Sequence, residues 1–151
     1  MWIGGSSDAA VRRTAQYGTG WQAGSETPEA VGKVIAAIKD AVAKAGRSID
    51  EDHYGAALTY RFGDSDDPGV AKAMERYTAR TGRDAAAHFV FGDAGAIVER
   101  IARYVENDAC KFILRPAADG DEDMYVQTRR LVEEVLPRMA ERWPRPAKIR
   151  G

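Results

Sequence analysis

Residues 110–116 read Cys-Lys-Phe-Ile-Leu-Arg-Pro. From Cys110 to Arg115 the run is nearly continuous in apolar character, which predicts a strand buried on both faces. Strands of that kind belong to parallel sheets, whose neighbours are joined by helical crossovers. Working outward, the chain supplies such helices. From Pro28 to Ala45 the residues Val31, Val34, Ile35, Ile38 and Val42 fall on one helical face, with Thr27 as N-cap, Pro28 at the first position and Gly46 past the end. A second helix is expected from Pro68 to Arg80, capped by Asp67, stopped by Gly82, with Val70, Ala73, Met74 and Tyr77 inward. A third follows Asp93 to about Glu106 and buries Ile97, Val98, Ile101, Tyr104 and Val105. A fourth runs from Glu122 to Leu136, with Met124, Thr128, Leu131, Val132 and Val135 inward and Pro137 ending or kinking it. A short helix spans Ser7 to Tyr17. The other strands are Trp2 to Gly4, Gly20 to Ala23 and Tyr54 to Phe62. The order β-α-β-α-β-α-α-β-α predicts an α/β domain with about four parallel strands, five helices and right-handed crossovers. Residues 1–142 form that domain, and 143–151 form a Pro-broken basic tail with Trp143 docked.

Composition narrows the function. The chain has 151 residues, net charge −1, 44% hydrophobic and 30% charged residues. Balanced charge provides no basic field for nucleic acid. No apolar run reaches the ~18 residues of a membrane span. One cysteine forms no internal disulfide, no Cys/His cluster has zinc spacing, and no secretory leader is visible, so a cytoplasmic location and no metal are expected. A complete (β/α)8 barrel needs about 250 residues, more than this chain has. The chain opens inside a strand at Trp2 with no lead-in, which reads as the back part of something longer.

The strand ends carry the chemistry. Gly4-Gly5-Ser6-Ser7-Asp8 joins the first strand to a helix. Two glycines let backbone N–H groups turn outward, and the helix N-terminus adds unpaired donors, so the loop can cradle a phosphate. It equally reads as a tight turn whose Ser7 or Asp8 caps the helix. The motif matches neither a dinucleotide fingerprint nor a P-loop. Ala23-Gly24-Ser25 closes the next strand and falls on the same rim, where parallel α/β folds place ligands. Trp21 either flanks a ring system or fills the core. Arg115 ends the last strand, where its guanidinium either binds an anionic group or pairs with a loop carboxylate. Asp64-Ser65-Asp66-Asp67-Pro68-Gly69 imitates a calcium loop, but Pro68 occupies a ligand position and Asp67-Pro68 reads as a helix start. Asp119-Gly120-Asp121-Glu122-Asp123 reads as negative charge at a helix N-terminus. His53 and His88 have no nucleophile elbow beside them. Cys110 reads as core.

Taken in order, several stretches resemble the C-terminal half of bacterial luciferase-like monooxygenases. They are Trp2-Ile3-Gly4-Gly5-Ser6-Ser7, Ala15-Gln16-Tyr17-Gly18-Thr19-Gly20-Trp21, Gly46-Arg47-Ser48, Phe91-Gly92-Asp93, Ile101-Ala102-Arg103-Tyr104, Phe112-Ile113-Leu114-Arg115-Pro116 and Glu134-Val135-Leu136-Pro137. The resemblance implies half of a (β/α)8 barrel and a flavin- or deazaflavin-dependent oxidoreductase. It implies that Gly4, Gly5 and Ser6, with Ala23, Gly24 and Ser25 next, hold the phosphate of FMN or a deazaflavin coenzyme, and the Ser7 hydroxyl is a further donor in the same loop. From their places at strand ends, Arg115 and Trp21 are candidates for substrate contact. Members are roughly twice this length, and the first half, absent here, supplies most ring contacts and catalytic residues. No catalytic residue is assigned. A half-barrel leaves two sheet edges and an apolar inner face open, which predicts self-association as a homodimer. The alternative is a non-catalytic module that binds a phosphorylated ligand or pairs with a separate N-terminal half.

Overall fold

The computed structural model describes residues 1–64 and 66–144. In chain order the elements are β1 (Trp2–Gly4), α1 (Asp8–Tyr17), β2 (Gly20–Gln22), α2 (Pro28–Lys44), β3 (Tyr54–Phe62), α3 (Pro68–Thr81), α4 (Ala85–His88), β4 (Phe89–Gly92), α5 (Ala94–Val105), β5 (Lys111–Pro116), α6 (Asp121–Arg130) and α7 (Leu136–Arg142). A 3-10 turn at Glu51–His53 leads into β3, and a π-helical turn at Leu131–Val135 joins α6 to α7.

All named strand pairs are parallel. The barrel order is β1-β2-β3-β5, with Ile3 opposite Trp21, Trp21 opposite Tyr54 and Ala57 opposite Ile113. This is the expected half-barrel, with one addition. Four residues, Phe89–Gly92, form a fifth strand beside the carboxyl end of β3. Thr59 and Tyr60 pair with both β4 and β5, so those two strands lie on opposite edges of β3. β2 holds the amino end of the β4 edge, at Tyr54 and Gly55. Sequence periodicity missed β4 because four residues after an alanine-rich turn carry no resolvable alternation.

Helices α2 and α5 pack on one face of the sheet. Val31, Ile35, Ile38 and Val42 of α2 and Ile97, Val98, Ile101 and Tyr104 of α5 are buried against Ala56, Leu58, Tyr60 and Phe62 of β3. Burying each such aliphatic side chain stabilises the fold by roughly 1.5–3 kcal/mol. The helix ends follow the predicted punctuation. Thr27, Asp67 and Asp93 cap α2, α3 and α5 through their side-chain oxygens, and Gly82 ends α3 at φ +67°. Asp67 Oδ1 accepts from the Gly69 N–H at 2.7 Å, which is capping rather than calcium geometry.

Several expectations are corrected. β3, not β5, is buried on both faces; β5 alternates between exposed and half-buried residues because its inner face and outer edge lack a covering layer. Cys110 precedes β5 and is exposed, with Sγ donating to the carbonyl oxygens of Tyr54 and Glu51. Pro137 does not end the last helix. A proline lacks the N–H that would reach back one turn, and its ring crowds the carbonyl four residues earlier. The turn ahead of it widens instead, and the Leu136 N–H donates to Leu131 O. Met124 and Val132 are exposed, while Gln127 is buried because its side-chain amide satisfies the N–H and C=O of Phe62. The inner face is not an open apolar sheet either. α3 and α4 cover its carboxyl half, where Tyr77, Ala85 and Phe89 pack with Ala73, Met74, Phe91 and Ala117 in a second small core. Exposed apolar surface remains at Ile113 (45% exposed), on the same inner face of β5 as Arg115, and separately at Met124, Tyr125, Val126, Val132 and Leu136 on the last helices. Trp143 is half-buried against the main core, and the rest of the tail from 145 lies outside the described residues.

Candidate functional site

The carboxyl ends of β1 and β2 meet as the parallel pairing requires, with Gly4 opposite Gln22. Gly5 adopts φ +95°, a left-handed conformation that penalises any side chain. Its carbonyl accepts from Trp21 Nε1 at 2.8 Å. Trp21 is fully buried (0% exposed), so its ring is unavailable to a ligand, and its contribution here is to hold the Gly5 carbonyl. With that carbonyl held inward, Ser6 and Ser7 stand exposed at the entrance to α1. Ser7 is the N-cap: its Oγ accepts from the Ala10 N–H at 3.3 Å, and its carbonyl accepts from Val11. The N–H groups of Asp8 and Ala9, the first two of the helix, have no such partner among the described residues. The Asp8 carboxylate lies in the same first turn and takes up part of the positive end of the helix dipole.

The loop after β2 is more committed. Ala23 is buried, and its N–H donates to Gly55 O. The Gly24 N–H donates to Glu26 Oε2 at 2.7 Å, so a carboxylate of the chain already sits on that amide. Ser25 is half-buried, and its carbonyl accepts from Arg83. Tyr104 donates from its hydroxyl to Glu26 O at 2.7 Å, and burial pushes its pKa up to about 12.

Arg115 lies three strands from β1, exposed, on the inner face opposite Thr59. No carboxylate pairs with it among the described residues, so the structural alternative of a loop salt bridge is not realised. It lines a cavity of about 310 Å³ with Arg76, Arg80, Tyr77, Phe89 and Ala117. Sequence reasoning overlooked Arg76 and Arg80, although their i, i+4 spacing places both on one face of α3. It also overlooked Arg61, the one charged residue of β3. Arg61 is buried; its guanidinium donates to Asp123 Oδ2 at 2.6 Å and to Ala117 O at 2.9 Å. Burial raises the Asp123 pKa, but hydrogen bonds from the Asp119 N–H and Arg61 outweigh it and the net shift is downward. Asp123 therefore ties β3 to the loop after β5 rather than merely charging a helix end.

A cluster of Asp50, Asp52 and His53 gathers at the opposite, amino end of the strands and is largely exposed. It is remote from the rim. No helix among the described residues is long and apolar enough to cross a membrane.

Half of a (β/α)8 barrel, with glycine-rich and basic strand ends gathered on one rim, defines the class. The profile of the luciferase-like monooxygenases matches residues 1–128, and the chain belongs to that family. Among solved structures it is similar to an F420-dependent secondary alcohol dehydrogenase in complex with an F420-acetone adduct (TM-score 0.72, 15% identity, 90% of this chain and 47% of that one). It is also similar to the coenzyme F420-dependent tetrahydromethanopterin reductase of Methanopyrus kandleri (TM-score 0.63, 15% identity, 91% and 50%). A third is riboflavin lyase with modified FMN and riboflavin (TM-score 0.66, 18% identity, 93% and 42%). At these identities the likeness establishes the fold, and the chain spans about half the length of the structures it matches. No curated protein matches it by sequence.

Proposed function

We propose that this chain is the cofactor-phosphate half of a luciferase-like oxidoreductase, and that the Gly4–Ser7 loop binds the phosphate of FMN or of coenzyme F420. The observation that carries this reading is the loop itself: Gly5 at φ +95°, its carbonyl held away by Trp21, and the unpaired N–H groups of the α1 N-terminus beside the Ser6 and Ser7 hydroxyls. The fit is in donor chemistry, since backbone N–H groups and hydroxyls suit phosphate oxygens. Ser7 can donate its hydroxyl hydrogen while its oxygen still caps the helix. The second loop contributes Ser25 and, once Glu26 releases it, the Gly24 N–H. When bound, the cofactor supplies the redox chemistry that no side chain of this chain provides. The residues here bind and orient it. In this reading the remaining ring contacts and the proton-transfer groups come from another half-barrel.

Without that half, a second copy covers the free edges of β1 and β5 and the exposed Ile113 of the inner face. Sedimentation that shows only a stable monomer overturns the self-association.

Calorimetric titration with FMN, F420 and riboflavin tests the central reading. FMN or F420 should bind and riboflavin, which lacks the phosphate, should bind at least about tenfold more weakly, a difference of about 1.4 kcal/mol. Gly5→Val should abolish that phosphate preference. Equal affinity for FMN and riboflavin, or an unchanged preference in Gly5→Val, sinks the cradle. Binding without turnover favours the alternative of a non-catalytic module.

A further inference from the structure

The groove beside β5 has features that the cofactor loop does not use. Arg115 projects from the inner face without an ion-pair partner among the described residues, and Arg80 is equally unpaired. Arg76 shares Asp119 with Lys72, at 3.2 and 2.5 Å. Three guanidinium groups therefore line one cavity of about 310 Å³, and one shared carboxylate lies near them. Like charges gathered on one wall repel unless an anion joins them. The cavity is at the small end of ligand-pocket size. Its other walls are the Tyr77 and Phe89 rings, which meet edge-to-face with centroids 5.1 Å apart.

A second observation points to the same place. Tyr77 is 5% exposed, and its Oη is buried with no hydrogen-bond partner among the described residues. His88 Nδ1 is buried and unpartnered as well, and the two rings lie 5.8 Å apart. Both residues line a narrow seam between β2 and β4, which adjoins the groove through the shared walls Thr59, Tyr77 and Arg115. Leaving a buried polar atom unpaired costs roughly 1–3 kcal/mol. Two such atoms beside the guanidinium groups of Arg80 and Arg115, unpaired among the described residues, are what a ligand site leaves unsatisfied by its own chain.

We propose that this groove binds a small organic oxyanion, with Arg115, Arg76 and Arg80 on the anionic group, a compact apolar body against Tyr77 and Phe89, and a polar atom reaching Tyr77 Oη and His88 Nδ1. The oxyanion is a phosphomonoester or a carboxylate, since guanidinium forks accept either. The groove stands three strands from the Gly4–Ser7 loop, and its arginines do not depend on the cofactor reading, although the adjoining seam is also lined by Gly24 and Ser25 of the second loop.

The test uses the full chain and three probes of one size: phenyl phosphate, benzoate and benzyl alcohol. Calorimetry should show binding of at least one oxyanion and none of the alcohol. The stronger of the two identifies the anion. Arg115→Gln and Arg76→Gln should each weaken it at least about tenfold, or about 1.4 kcal/mol, while Gly5→Val leaves it unchanged. Arg115→Lys should recover part of the loss, because a point charge replaces the fork. Thermal melts establish that each variant is folded; Arg80→Gln, on the exposed face of α3, serves if Arg115→Gln is not. Absence of oxyanion binding at millimolar concentration overturns the proposal, as does equal binding of the alcohol or affinity insensitive to the arginine variants. Binding lost in Gly5→Val alone places the probe in the β1 loop: the groove proposal then falls and the cofactor reading stands.

Discussion

The loop after β1 and the groove beside β5 stand at opposite ends of one rim, and they receive charge by different means. The loop is made of backbone: a left-handed glycine, a helix N-terminus and two hydroxyls, all set by residues adjacent in the chain. The groove is made of side chains from α3, β4 and β5, separated by up to about forty positions and assembled only by packing. A backbone site tolerates changes in distant side chains and fails when its local conformation is lost. A side-chain site behaves the other way, since each guanidinium contributes its own charge and depends on the scaffold that aims it.

The largest expected effect separates the two scaffolds. Arg61→Met removes the cation that joins β3 to Asp123 and to the carbonyl of Ala117, a residue that lines the groove. Breaking a pair this buried should cost about 3 kcal/mol in urea unfolding, and weaken oxyanion binding while the phosphate preference of the loop persists. The pair also sets an acid sensitivity. The Asp123 pKa is depressed in the folded state, so its contribution is present above the ordinary carboxylate range and is lost as pH falls through the folded value. Arg61→Met should be flatter in that acid window, and an unchanged acid limb would remove Asp123 from the account.

Trp21→Phe is the matching perturbation of the loop. It leaves the Gly5 carbonyl without its donor and should cost about 1–2 kcal/mol, lowering FMN affinity and sparing the groove. If both sites weaken together, the comparison fails and the rim responds as one unit. Asp8→Asn works in the opposite direction. Removing a carboxylate from the first turn of α1 should tighten FMN binding about threefold at low salt, within the range of helix-dipole effects, and the gain should fade as salt screens it. The smallest effect concerns His88, whose pKa is lowered chiefly by burial. Its neutral form supports folding above the ordinary histidine pKa, and that support is lost as pH falls through the folded value. His88→Gln should reduce the decline in melting temperature between about pH 7.5 and pH 5.5. An identical decline in both proteins excludes His88 as its source.

Much of this was legible along the chain. α2 was visible because its apolar spacing, its Thr27-Pro28 start and its Gly46 stop agree with one another. The Gly4–Ser7 loop was visible for a related reason: a strand, two glycines and a cap are contiguous. Errors came where a distant partner decides the outcome. Gln127 was not among the residues expected to face inward from its helix, and it is buried because its side chain pairs with the backbone of Phe62. β5 looked doubly buried, yet burial depends on which layer lies over it, and α3 covers only the end of the inner face. The arginines of the groove gave no joint signal, because 35 positions separate Arg80 from Arg115.

By itself, then, the sequence determined the alternation of strands and helices, the helix ends and the glycine loop, all governed by interactions within a few residues. The tertiary structure decided which face of β5 is open, what Arg61 and Asp123 join, and that Arg76, Arg80 and Arg115 share one cavity. Those outcomes depend on packing between remote elements, and local periodicity carries no record of what will lie across from a given side chain.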